Sequence, residues 1–230
     1  MNRPKWTLGL AALALIAAVA VPQTVFAQDL SSVANRTDDE RARDAGSKPG
    51  HVYAFWGLEA GMTVVDLIPG GGYNTLLLAA LVGDGGMVYA GPPRDALTER
   101  LQANPISNVE IFGDPADVPD ASADAVVTVR NFHDVVGGGR TEGILANVHR
   151  VLKSGGTFGV VDARTNMDGY DDSSHRINQQ HVIDLVTAAG FEFVEASEML
   201  ANADDDFGTW EGASGRTNTD RMVLKFRKGM

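Results

Sequence analysis

Cysteine is absent from all 230 residues. Without a thiol the chain has no disulfide, no thiolate metal site, no cysteine nucleophile and no lipidated cysteine anchor, so the core must hold by packing alone. Basic residues are also scarce: 19 Lys and Arg stand against 30 Asp and Glu, a formal net charge of −11. A surface of that sign repels phosphate backbones and anionic headgroups, which sets nucleic acid aside as a partner. Long hydrophobic runs are missing too, since the longest, Leu8 to Val21, falls short of the ~20 residues of a comfortable membrane span. No internal repeat, low-complexity tract or second domain is visible. With 44% hydrophobic and 21% charged residues the composition fits one globular domain. A domain of this size buries roughly 70% of its unfolded surface, enough for a core without staples.

The first residues are expected not to fold with the rest. Arg3 and Lys5 form a basic start, the apolar run follows, and Val25-Phe26-Ala27 offers the small residues at which a signal peptidase cuts. Residues 1–27 read as a secretory signal peptide, 28–62 as a tether and helices, and 63–230 as a single domain. Cleavage after Ala27 removes two bases and no acid, which takes the net charge to −13. An uncleaved membrane anchor is the rival reading; under the first, the mature protein is periplasmic or secreted and has no stable membrane insertion.

The most informative stretch is Thr63 to Thr75, TVVDLIPGGGYNT. A β-branched, apolar run with one acid, Asp66, breaks into a proline and three glycines, and a second apolar run, Leu76 to Val82, follows. That order predicts a buried strand, a tight glycine turn and a helix, which together bring bare backbone N–H groups and a helix N-terminus to a ligand. A phosphate-gripping P-loop would need Gly-Lys-Ser/Thr, and here the glycines lead into Tyr73. A dinucleotide fingerprint G-x-G-x-x-G would need a third glycine where Thr75 stands.

What remains resembles motif I of the class I S-adenosylmethionine-dependent methyltransferases, an acid followed two residues on by G-x-G-x-G. Asp66 matches the acid, Gly70 and Gly72 match the last two glycines, and Ile68 stands at the first. Further stretches fall in the order of that family: Gly113-Asp114 after a third strand, Ala123 to Val127 opening a fourth, and Val148 to Gly156 before a fifth. More narrowly, the chain resembles a family of predicted bacterial methyltransferases, many with signal peptides. The shared segments are Arg41 to Pro49, Asp66 to Tyr73, Asn131-Phe132-His133-Asp134, His175-Arg176-Ile177, and Gly215-Arg216-Thr217 through Lys228. The resemblance implies a Rossmann-like α/β fold, a mostly parallel doubly wound sheet closed by a C-terminal antiparallel hairpin. It also implies S-adenosyl-L-methionine as cofactor, held by Asp66, Pro69, Gly70, Gly71, Gly72, Tyr73, Asp114 and Asn131.

Patterning agrees with alternating strands and helices. Strands are predicted at Val64–Ile68, Met87–Ala90, Val109–Phe112, Ala125–Val129, Thr157–Asp162, Phe191–Leu200 and Arg221–Arg227. Helices are predicted at Asn74–Leu81, Arg94–Gln102, Thr141–Leu152 and Asn178–Ala189. Before the first strand, Thr37 and Glu40 form a capping box for a helix reaching Ala45, which Gly46 and Pro49 end before a second short helix.

Side chains just after each strand are the ones to weigh, because ligands of open α/β sheets sit beyond the carboxyl ends of the strands. His133 is the candidate general base and Asp134 the carboxylate that fixes its tautomer, with capping of the next loop as the alternative. Arg130, Asp162, Arg164 and His175 are substrate-side candidates. Asp162 and Arg164 are expected to pair with each other, and His175-Arg176 to open the late helix. His133, Asp134, Asp162 and His175 together form a nitrogen and oxygen donor set, but no tight spacing supports it and no metal is expected. Trp210 lies in an acidic insertion that reads as a substrate flap or a plain loop. Two departures from the family stand out: the second strand ends Tyr89-Ala90-Gly91-Pro92-Pro93 without the ribose-binding acid, Asp95 being the nearest, and the expected export would part the chain from the cytoplasm, where its cofactor is made. The expected function is an exported methyltransferase of an unidentified small molecule; the alternative is a non-enzymatic periplasmic protein that binds another metabolite.

Overall fold

The computed structural model describes residues 29–208 and 219–230. The proposed signal segment, Trp210 and the Gly215-Arg216-Thr217 stretch lie outside them.

Two helices precede the sheet. α1 (Asp38–Ser47) starts at the predicted capping box, with both reciprocal hydrogen bonds between Thr37 and Glu40 formed. Lys48 turns the chain in the left-handed region, and Pro49, expected only to stop α1, opens α2 (Pro49–Trp56) at its first position. A proline there has no N–H for the helix to leave unpaired. α2 buries Val52, Tyr53 and Trp56. The Trp56 indole lies where a Cβ on Gly159 would come within 2.5 Å, and its Nε1–H donates to the Leu224 carbonyl at 2.9 Å.

The domain then alternates β1 (Thr63–Leu67), α3 (Tyr73–Val82), β2 (Met87–Gly91), α4 (Asp95–Ala103), β3 (Val109–Ile111), β4 (Ala123–Val129), α5 (Phe132–Gly137), α6 (Thr141–Val151) and β5 (Leu152–Ala163). A two-stranded hairpin, β6 (Tyr170–Asp171) and β7 (Arg176–Ile177), precedes α7 (Gln179–Ala188), β8 (Phe191–Ser197) and β9 (Arg221–Lys228). Seven strands form one sheet in the order β3-β2-β1-β4-β5-β9-β8. The first five pair in parallel, and β9 is antiparallel to both β5 and β8, the expected terminal hairpin. The order reverses between β1 and β4, so their carboxyl ends flank the crevice where such sheets bind ligands.

Alternate residues of the central strands feed two cores, as a sheet covered on both faces requires. Val65, Val126 and Phe158 join Leu145, Val148 and Val182 on one face. Val64, Val127 and Val161 join Trp56, Leu77 and Leu81 on the other. α6 buries Leu145, Val148 and Val151 against the sheet, and α7 buries Val182 and Val186.

α5 and the β6–β7 hairpin are absent from the sequence reading, β5 starts earlier than predicted, at Leu152, and β8 ends earlier, at Ser197. α5 occupies the stretch that the sequence reads as the loop after β4. It forms because Phe132 and Val135 are wholly buried and because the Asp162 carboxylate, from β5, accepts the His133 N–H at 2.9 Å and so caps the first turn from outside. His175 and Arg176 do not open the late helix; they sit at the end of a turn and in β7, and Asn178 is the N-cap of α7, accepting from the His181 N–H.

Candidate active site

The glycine loop joins β1 to α3 at the crevice. Ile68, where the family pattern has its first glycine, holds φ at +60°, which is costly for a β-branched residue and is stabilised by its neighbours. Its N–H donates to the Gly91 carbonyl at 2.9 Å and its carbonyl accepts from Asn131 Nδ2 at 2.9 Å. The loop is thus tied to the ends of β2 and β4. Gly70 and Gly72 also have positive φ. Side chains added at Gly70 or Gly71 would meet no atom within 4 Å, whereas one at Gly72 would come within 2.7 Å of Leu97. Gly70 and Gly71 therefore face open space, and Gly72 is required by packing. No side chain caps the start of α3, so its first-turn amides remain available at the crevice.

Asp66 lies behind the loop, wholly buried, where Oδ2 accepts from the Thr75 hydroxyl at 2.7 Å and ties β1 to α3. Burial pushes its carboxyl up to about 6, and the Thr75 hydrogen bond opposes that shift. Tyr73 turns beneath α1. Its hydroxyl donates to Asp44 Oδ1 at 2.7 Å, the Arg43 guanidinium sits 4.1 Å from its ring centroid, and Arg36 pairs with the same Asp44. Arg100 of α4 completes the clasp, binding both Glu40 oxygens at 2.6 and 2.7 Å and the Gly71 carbonyl at 3.1 Å. Sequence reasoning missed this clasp of Arg36, Glu40, Asp44 and Arg100; the Arg41 to Pro49 segment, shared with the resembled family, was its only signal. A small, partly open cavity adjoins the clasp, lined by Arg43, Tyr53, Tyr73, Asn74, Val129 and Arg221.

The other expected cofactor residues have local duties. Asn131 donates to the Ile68 and Val129 carbonyls, which makes it a brace for the loop. Asp114 is exposed and caps the 3₁₀ turn Pro115–Asp117, accepting from the Ala116 N–H at 2.9 Å. β2 ends at Gly91, and Asp95 is exposed in the first turn of α4.

His133 and Asp162 meet at the ends of β4 and β5. His133 Nδ1 lies 2.7 Å from Asp162 Oδ1, and the fully buried Asp162 carboxylate also accepts the backbone N–H groups of His133 and Ala163. With the Asp162 carboxylate as acceptor, the neutral form of the His133 ring carries its proton on Nδ1 and leaves the Nε2 lone pair on the side of Asp134. Asp162, and not Asp134 as expected, therefore orients the ring; Asp134 Oδ1 lies on the Nε2 side at 3.4 Å. Burial disfavours the His133 imidazolium, but the Asp162 hydrogen bond and charge, with the charge of Asp134, outweigh it and hold its pKa above the ordinary value. His175, at φ +52°, presents Nδ1 to Asp134 Oδ1 at 3.5 Å. The Tyr170 ring lies nearly parallel to that of His133, with centroids 6.5 Å apart. Arg130, at φ +62°, is close enough for its charge to act on His133. Arg164 does not pair with Asp162: its guanidinium binds Glu198 and Asp220, because Asp162 turns inward to His133 while Arg164 points to the β8–β9 side.

Residues 65–160 match the family model described as a methyltransferase domain. The strand order, the glycine loop and that match agree. The fold is that of the class I methyltransferases. Among solved structures, a SAM-dependent methyltransferase from Aquifex aeolicus superposes with a TM-score of 0.60 at 19% identity, over 84% of this chain and 99% of that one. Phosphoethanolamine N-methyltransferase 2 of Haemonchus contortus, in complex with S-adenosyl-L-methionine, gives 0.58 at 15% identity, over 80% and 53%. The cyclase SpnF gives 0.60 at 18% identity, over 81% of each chain. At such identities the likeness carries the fold, and a cyclase among the matches means that the chemistry has to be argued from the site.

Proposed function

We propose that this protein is an exported S-adenosylmethionine-dependent methyltransferase acting on a small molecule with an ionisable O–H or N–H. The observation that carries the reading is the open glycine cradle beside an oriented imidazole: bare Gly70 and Gly71, the uncapped start of α3, and the His133–Asp162 pair at the neighbouring strand ends. The cradle fits the cofactor, because a ligand can approach the backbone where no Cβ intervenes. At the ribose end the fit is poorer, since β2 offers no carboxylate.

When bound, S-adenosylmethionine supplies a methyl group on a sulfonium, a strong electrophile. The loop amides and the N-terminus of α3 would hold it, and the clasp of α1 over Tyr73 would keep water from that end. His133 Nε2 would take the acceptor's proton as its nucleophile gains the methyl group, while Asp162 stabilises the imidazolium. Export is supported by the basic start, the short apolar run and the Val25-Phe26-Ala27 end.

Mass spectrometry of small molecules that co-purify with the native protein tests the reading, together with calorimetric titration of S-adenosylmethionine and S-adenosylhomocysteine. Binding of either is the expected result. A protein indifferent to both at millimolar concentration, carrying some other metabolite, would overturn the proposal in favour of a binding protein, the reading that the missing β2 acid favours.

A further inference from the structure

Two imidazoles and a carboxylate converge on one point from two separate elements. His133 and Asp134 occupy the first turn of α5, and His175 stands at the mouth of the β6–β7 hairpin. One donor atom from each lies within 4.8 Å of the others. The two separations from Asp134 Oδ1, 3.4 Å to His133 Nε2 and 3.5 Å to His175 Nδ1, are close to the spacing an ion would impose. Tetrahedral bonds of about 2.0–2.1 Å put their donor atoms about 3.3 Å apart.

The surroundings prepare these groups as ligands. Asp162, buried behind His133, holds the Nδ1 proton of the neutral ring and leaves Nε2 on the side of Asp134, the carboxylate–histidine arrangement that fixes tautomer and ring orientation in metal sites. Tyr170 packs along the His133 ring and against Gly137, where any side chain would collide with it at 2.4 Å. His175 keeps its left-handed backbone because the hairpin is braced on both sides. The Asp171 carboxylate accepts from the Ser173 N–H and hydroxyl before it, and buried Arg176 pairs with Asp205 at 2.7 Å after it. Asp134 and Asp162 contribute two negative charges near His133 against one positive charge from Arg130.

We propose that His133, Asp134 and His175 form a binding site for a divalent first-row transition ion such as zinc. Two imidazole nitrogens select against magnesium and calcium, which prefer all-oxygen sets, and three protein donors leave a coordination position open to solvent or acceptor. This assignment does not depend on methyl transfer. The lone pair that would take a proton holds the ion instead, so a loaded site would activate an acceptor by polarising it. Loss of turnover in His133→Ala fits either role, and binding alone separates them.

The test is calorimetric titration of zinc into the chelator-stripped mature protein, with cobalt as a spectroscopic probe of the ligand field. One equivalent should bind, unchanged by excess magnesium or calcium. His175→Ala, whose side chain is half exposed and carries little packing, should abolish the stoichiometric site, as should Asp134→Asn, while exposed His51→Ala retains it. Asp162→Asn, which touches only the outer shell, should weaken binding by about 10–100-fold. Circular dichroism of each variant guards against unfolding. Failure of the parent to bind zinc, or equal binding by folded His175→Ala, would overturn the assignment.

Discussion

Replacing Asp66 with asparagine isolates the energetic cost of the most deeply buried acid in the glycine-loop region. An ordinary aspartate titrates near 3.8, and burial raises this one to about 6. That gap corresponds to about 3 kcal/mol. Because the folded protein holds the proton more tightly than the unfolded chain, protonation of Asp66 favours folding. The contribution is fully present below about pH 4, is lost as pH rises through about 6, and beyond that the ionised group is a constant burden. Asp66→Asn keeps the shape and an acceptor for Thr75 without ionising. The variant's unfolding free energy relative to the parent should therefore rise by about 3 kcal/mol between pH 3 and pH 7. For a domain of this size that equals a relative gain in melting temperature of roughly 6–12 °C. An unpaired amide N–H would add a penalty of about 1–3 kcal/mol, but equally at both pH values, so it cannot imitate the slope. Other carboxylates titrate alike in both proteins and cancel. Urea unfolding monitored by circular dichroism in half-unit pH steps gives the difference curve. A flat curve would refute the reasoning and mean that Asp66 is protonated, or solvated, alike in both states.

Gly71→Val should fold normally and lose the cofactor-induced rise in melting temperature, because its side chain enters open space in front of the loop; a parent-like rise would remove the loop from cofactor binding. Gly72→Val should instead destabilise the fold itself, through its positive φ and the collision with Leu97, and a melting temperature equal to the parent's would contradict that packing. Arg100→Ala, which loses Glu40 and the Gly71 carbonyl together, should cost about 1.5–3 kcal/mol and expose α1 to limited proteolysis; unchanged cleavage would mean that the clasp contributes nothing. His133→Ala should lower methyl transfer about 10²-fold or more with cofactor affinity unchanged, and equal turnover would exclude it from the reaction. Intact mass of the exported protein should place Gln28 at the N-terminus, and a full-length membrane-bound species would restore the anchor reading.

The alternation of strands and helices, the glycine turn after β1, the capping box of α1 and the closing hairpin were legible in the chain because each rests on local periodicity or on residues a few positions apart. Thr37 and Glu40 meet across one helical turn, and Val64 and Val65 feed opposite faces by the geometry of a strand alone. The strand ends that carry the site followed from the same pattern. What no local pattern decides is which side chains meet across those ends. Asp162 is 29 residues from His133, and only the pairing of β4 with β5 brings it to Nδ1, displacing the adjacent Asp134 as the orienting carboxylate and freeing Arg164 for Glu198 and Asp220. His175 faces Asp134 only because a two-residue ladder, worthless as a sequence signal, folds back against α5. Likewise Arg100 reaches Glu40 across 60 residues to clasp the loop. Local residues determine the elements and where their ends lie; the pairing partners of buried polar groups are chosen by the whole fold, since each must be satisfied by whatever the tertiary structure brings within about 3 Å.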